Sequence, residues 1–123
     1  MDFRIKDARP IWQQLSEQLK LRIVTGYYAP GSRFPSVREL AAEAGVNPNT
    51  MQRSLTQLEA EGLLITNRTV GRTVTTEEET LTAIRSELAR EETREYLESM
   101  GRLGYSRQQC AEIITEGEKH ELS

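Results

Sequence analysis

Residues 34–55 read FPSVRELAAEAGVNPNTMQRSL, two short segments of helical period on either side of a glycine. Ser36 and Glu39 have the spacing of a capping box, which starts a helix over about 36–43. Gly45 breaks it, because a glycine takes the positive φ that a tight interhelical turn requires. Asn47 then suits an N-cap and Pro48 the first helical position, with Met51, Leu55 and Leu58 as the buried stripe and Gly62 as the stop. Leu40, Ala41, Ala44 and Val46 are apolar or small where the two helices must meet. The exposed start of the second helix carries Asn47, Asn49, Thr50, Gln52 and Arg53, groups that hydrogen-bond to base edges and phosphates. Two structures fit these 22 residues: an ordinary helical hairpin with solvated polar positions, or a helix-turn-helix that places its second helix in a DNA groove. The flanking sequence chooses between them.

Upstream, Pro10 opens a helix whose apolar positions Ile11, Leu15, Leu19 and Ile23 fall about four apart, ending at Gly26. A loop with a Pro30–Gly31 turn follows. Downstream, residues 63–66 (LLIT) and 72–76 (RTVTT) read as two strands joined by the polar turn NRTVGR. Thr76 and Glu79 look like the cap of a further helix with apolar Leu81, Ile84 and Leu88. MGRLGYS, residues 100–106, is a break, and Ser106 with Gln109 caps a last helix that carries Cys110, Ile113 and Ile114. Three helices and a short hairpin outline a winged helix-turn-helix. The expected fold is mainly α with a small β-hairpin, a winged helix-turn-helix over 1–75 followed by two C-terminal helices over 76–123.

Composition fits a globular chain: 37% of residues are hydrophobic and 28% charged. At 123 residues there is room for one domain and a small appendage. The net charge of −3 hides an asymmetry: residues 1–75 hold 10 Lys+Arg against 7 Asp+Glu, whereas residues 76–123 hold 6 against 12. The basic part can meet phosphate while the acidic part stays solvated. No apolar stretch reaches membrane-spanning length and MDFRIKDARPIW has no signal-like h-region, so a cytoplasmic location and no membrane partner are expected. A single cysteine, Cys110, fits a reducing compartment.

Enzymatic chemistry finds no support. One His, His120, and one Cys cannot assemble a zinc site, so no metal, cofactor or catalytic residue is expected. The stretch GRLG lacks the lysine and hydroxyl of a phosphate loop, and Glu77–Glu79 only complement a helix dipole. Trp12, Tyr27 and Tyr28 read as packing residues behind the helix-turn-helix.

The stretch from Pro10 to Val74 resembles the DNA-binding domain of the GntR family of bacterial transcription regulators. PIWQQL, PGSRFPSVRELA, GVNPNT, LEAEGLL and the glycine-containing wing occur in the family's order and spacing. The short acidic tail resembles the YtrA-type branch, in which two C-terminal helices mainly supply a dimer interface. The resemblance implies a backbone contact from Arg38, readout or positioning by Asn47, Asn49, Thr50, Gln52 and Arg53, and a wing in which Arg68, Gly71 and Arg72 approach the minor groove or phosphates. Where the family often has Arg, this chain has Pro48 and Gln52. Losing a bidentate guanine contact changes discrimination by about 1–3 kcal/mol, so the target sequence is expected to differ from the family's usual palindrome.

An apolar seam of Leu81, Ile84, Leu88, Tyr96, Leu97, Met100 and Leu103 is expected to close an isologous homodimer that reads a pseudo-palindromic operator in double-stranded DNA. The YtrA-type resemblance implies repression, with a small-molecule effector able to release the DNA. The rival reading is a winged helix used as a protein-interaction module with no DNA target of its own.

Overall fold

A computed structural model describes residues 2–120, the last three by backbone alone, so the His120 side chain and residues 121–123 lie outside the described residues. Five helices and one hairpin follow in the expected order: α1 (Ile11–Val24), α2 (Val37–Ala44), α3 (Pro48–Ala60), β1 (Leu64–Asn67), β2 (Gly71–Val74), α4 (Glu78–Arg102) and α5 (Arg107–His120). No helix among the described residues is long and apolar enough to cross a membrane.

The caps around the central turn form from the residues the sequence nominates. Ser36 Oγ accepts from the Glu39 amide at 3.1 Å, and Asn47 Oδ1 accepts from the Asn49 amide at 2.7 Å with Pro48 in the first turn of α3. Between them Gly45 sits at φ 69°, ψ 36°, the left-handed conformation that ends α2 and turns the chain into α3.

α3 packs on α1, α2 and β1, and the core forms at that junction. Leu15, Leu19 and Ile23 of α1, Leu40 and Ala41 of α2, Met51, Leu55 and Leu58 of α3, and Leu63, Leu64 and Val74 from the hairpin are all buried. Polar ties also cross this core: Ser54 Oγ donates to the Trp12 carbonyl at 2.8 Å, and Ser16 Oγ donates to the Ser54 carbonyl at 3.5 Å.

The hairpin is antiparallel, with Leu64 opposite Val74 and Asn67 opposite Gly71. A third segment joins it. The Phe34 amide donates to the Arg72 carbonyl at 2.8 Å, Val74 donates to Ser32 at 3.0 Å, and Arg33 bridges Thr73. The residues expected as a loop thus cover the open edge of β2, which leaves its backbone paired rather than exposed.

The strands run 64–67 and 71–74, each displaced by one residue at its start from the expected 63–66 and 72–76. α4 also starts later than expected. Thr75, not Thr76, turns inward, and its hydroxyl accepts from the Glu77 amide at 3.1 Å. The chain divides into compact units of residues 1–85 and 86 onward, beside the expected division at 75/76. The reason is local: Leu81 and Ile84 are buried, and Arg85 Nη2 donates to the Val24 carbonyl at 2.7 Å, which binds the first two turns of α4 to the head.

In the second unit, Ser106 and Gln109 complete a reciprocal capping box at 3.1 and 2.9 Å. Cys110 is buried, while Leu103, Tyr105, Ile113 and Ile114 remain exposed.

Candidate nucleic-acid interface

α3 carries two opposed faces. At 100° per residue, Met51, Ser54, Leu55 and Leu58 fall on one side, and all four are buried. Asn49, Gln52, Arg53 and Thr56 fall on the other, and all four are exposed. Thr50 lies on the flank and is half-buried. The helix therefore presents a polar, donor-rich surface at its N-terminal half, the geometry of a recognition helix.

Each side chain on that face has a definite state. The Asn47 oxygen is held by the cap, so its amide NH2 is what remains for a ligand. Gln52 Nε2 donates to Thr56 Oγ1 at 3.3 Å, which leaves its side-chain carbonyl to accept from other donors. The Arg53 guanidinium lies over the Trp12 ring, 4.3 Å from its centroid, and forms no hydrogen bond or ion pair among the described residues. Arg38, at the start of α2, is exposed and likewise unpaired among them.

The head carries more cations than its acids pair. Asp7 and Glu17 pair with Arg9, Glu61 with Lys20, Glu43 with Arg22 and Glu59 with Arg72. Arg4, Lys6, Arg33, Arg38, Arg53 and Arg68 have no ion pair among the described residues, and none of them is buried. Only Asp2 and Glu39 remain to balance them in residues 2–75. A surface with that surplus attracts polyanions.

The wing tip is organised by Asn67, whose Oδ1 accepts from the Thr69 and Val70 amides at 2.8 and 3.3 Å. Arg68 projects from that turn into solvent, and Gly71, at φ 85°, closes it. Arg72 behaves differently from the expectation of a phosphate contact. Its Nε lies 2.5 Å from Glu59 Oε1, and its side chain is 21% exposed. Glu59 also accepts from Thr66 Oγ1 at 2.7 Å. Burial works to raise the Glu59 carboxyl, but the Thr66 hydroxyl and the Arg72 guanidinium outweigh it and hold it below the ordinary value. Arg72 and Glu59 lock the wing to the end of α3.

Three supports escaped the sequence reading. Arg22 is fully buried and donates to Glu43 at 2.7 Å and to the Tyr28 hydroxyl at 2.5 Å, with the Phe3 ring 4.0 Å away. Burial opposes its charge, and those two partners overcome that opposition. Gln14 and Gln18 hold the N-terminal arm on α1: Gln14 Oε1 accepts from the Lys6 amide and Gln18 Oε1 from the Arg4 amide. Trp12 supports Arg53 from beneath. No local pattern announces such contacts, because their partners lie far apart in the sequence. Of the expected packing aromatics, Tyr28 meets Phe34 edge-on at 4.7 Å, whereas Tyr27 is largely exposed.

The expected dimer seam is divided. Leu81 and Ile84 are already buried within the chain, which removes them from any surface open to a second copy. Leu88, Tyr96, Leu97 and Met100 are half-buried and Leu103 is exposed.

This arrangement is similar to known proteins along nearly its whole length. The HTH-type transcriptional regulator YhcF of Bacillus subtilis is 33% identical over 120 residues, which covers 95% of this chain and 99% of that protein. The HTH-type transcriptional repressor YtrA of the same organism is 40% identical over 63 residues, or 51% of this chain and 48% of YtrA. A solved GntR family transcriptional regulator from Listeria monocytogenes superposes with a TM-score of 0.79 at 29% identity, covering 91% of this chain and 98% of that one. Residues 12–74, the span from Trp12 of α1 to the end of the wing, match the gntR family of bacterial regulatory proteins, and the chain belongs to that family.

Proposed function

We propose that this GntR-family chain is a transcriptional repressor that binds a pseudo-palindromic operator as a homodimer. The observation that carries the reading is the outward face of α3. Asn49, Gln52 and Arg53 stand opposite a fully buried stripe, on a head in which Arg4, Lys6, Arg33, Arg38, Arg53 and Arg68 have no ion pair among the described residues. α3 enters the major groove, where Gln52 suits adenine and Arg53 suits guanine. Arg38 and Arg68 take phosphates, and the Gly71 turn brings the wing backbone to the adjacent groove. Repression follows the naming of the YtrA relative.

The second copy docks on the apolar positions that the chain leaves uncovered, Leu88, Tyr96, Leu97, Met100 and Leu103, with Tyr105, Ile113 and Ile114 adding to that surface. Two recognition helices related by a two-fold axis then read half-sites one helical turn apart. An effector acts only by binding the DNA-free and DNA-bound arrangements unequally.

The test is binding to labelled DNA from upstream of the chain's own gene, with excess nonspecific competitor and across a salt series, alongside selection of duplexes from a random library. Saturable binding that weakens steeply with salt, and a selected consensus with dyad symmetry, are expected. A chain that selects no consensus has no operator, and the protein-interaction reading takes its place. A monomer at micromolar concentration in sedimentation equilibrium removes the homodimer.

A further inference from the structure

Residues 53 and 54 of α3 both engage one residue of α1. The Arg53 guanidinium lies over the Trp12 ring at 4.3 Å, and the neighbouring Ser54 hydroxyl donates to the Trp12 carbonyl at 2.8 Å. Ser16 Oγ reaches the same carbonyl at 2.9 Å, so the backbone at Trp12 is held from two helices. Trp12 is half-buried and Arg53 exposed, which makes the ring a fixed shelf and the arginine the mobile partner. A long arginine on a helix surface ordinarily samples many rotamers, and holding it in one costs entropy when it binds. A cation over a ring face is held electrostatically without using its N–H donors. None of the Arg53 donors is engaged elsewhere among the described residues.

We propose that Trp12 is the positioning residue for base reading by Arg53. The indole holds the guanidinium in place over its ring before DNA arrives, so that less ordering remains to be done on binding. This rests on the DNA-binding reading above. It adds a residue outside the helix-turn-helix to the set that determines specificity.

The experiment uses the full chain and the duplex that the wild type selects from a random library. Affinities are measured for wild type, Trp12→Met, Arg53→Ala and the double variant, with Trp12→Phe as the ring-preserving control. Trp12→Met is expected to weaken binding about two- to five-fold, the range of an exposed cation–π contact. It relaxes preference at the same base pair that Arg53→Ala relaxes, and at no other. In the Arg53→Ala background Trp12→Met adds no further loss, and with Arg53 present Trp12→Phe keeps most of the affinity that Trp12→Met loses. A shelf that merely packs α1 against α3 gives an additive double variant and a uniform loss over all base pairs, which overturns the proposal.

A second readout needs no Trp12 variant. Trp12 is the sole tryptophan, so Arg53→Ala must shift its emission in the free protein while Arg38→Ala leaves it unchanged. Unchanged emission with Arg53→Ala also overturns the proposal. A wild type that selects no consensus instead removes the DNA reading itself, together with the shelf.

Discussion

The buried guanidinium of Arg22 on α1 donates to Glu43 Oε2 of α2 at 2.7 Å, although the Glu43 side chain is 46% exposed. The asymmetry sets which half of the pair is more costly to remove. A glutamate that loses its partner is solvated at once, whereas a guanidinium with no access to water is not. Glu43→Gln is expected to lower stability by about 1–3 kcal/mol, the cost of removing the charged acceptor from a buried donor. Urea unfolding followed by circular dichroism measures it. A midpoint unchanged from wild type shows that Tyr28 and the surrounding rings hold Arg22 unaided.

The wing carries a pH signature. Glu59 is held below its usual value near 4.5 once burial is outweighed by the Thr66 hydroxyl and the Arg72 guanidinium. A depressed carboxyl contributes stability that is complete above its unfolded value and is lost as pH falls through its folded one. Wild type is therefore expected to melt above Glu59→Gln at pH 7, with the gap closing steadily below pH ~4.5. Melting curves of the two proteins from pH 7 to pH 3 test it. A gap that stays constant with pH means that the ionised carboxylate does not matter to the wing.

Gly45 tests the turn alone. A Cβ there meets nothing within 4 Å, so Gly45→Ala introduces no clash. What remains is the left-handed backbone at φ 69°, which costs an L-residue about 1–2 kcal/mol. Chemical denaturation should give that loss with an unchanged denaturant slope, and Gly45→Asn should recover part of it. A loss well above this range points to a rearranged α2–α3 turn.

The central helix-turn-helix was legible because its signals are local. Ser36, Gly45, Asn47 and Pro48 act on backbone within three or four residues, so spacing alone locates them. The Ser106–Gln109 box is legible for the same reason. The strand edge formed by residues 31–34 was not, because it pairs through main-chain groups that every residue type carries. Thr75 and Thr76 are identical in type, and only the burial of one decides which hydroxyl meets the Glu77 amide. Arg72 looked like Arg68, since both flank the wing tip. Glu59, thirteen positions upstream of Arg72, distinguishes them, and such a separation follows no helical or strand period. Leu81 and Ile84 share the period of Leu88, yet the head covers the first two. The tertiary fold, not the periodicity, decides where the seam begins.

Arginines that look alike in sequence should thus separate in a binding experiment. Arg53→Ala removes a base reader and is expected to cost about 1–3 kcal/mol on the selected duplex while relaxing preference at one base pair per half-site. Arg38→Ala and Arg68→Ala should weaken all duplexes alike and each lower the salt slope by roughly one for every phosphate no longer neutralised. Arg72→Ala should act through stability: its partner Glu59 loses the guanidinium, the melting temperature falls, and affinity declines because the wing is no longer fixed to α3. Measuring affinity, salt slope and melting temperature for the four variants separates the three roles. Should Arg72→Ala melt like wild type and lose salt slope as Arg68→Ala does, Arg72 leaves Glu59 for a phosphate, and the wing is held by the strand register and the 31–34 edge alone.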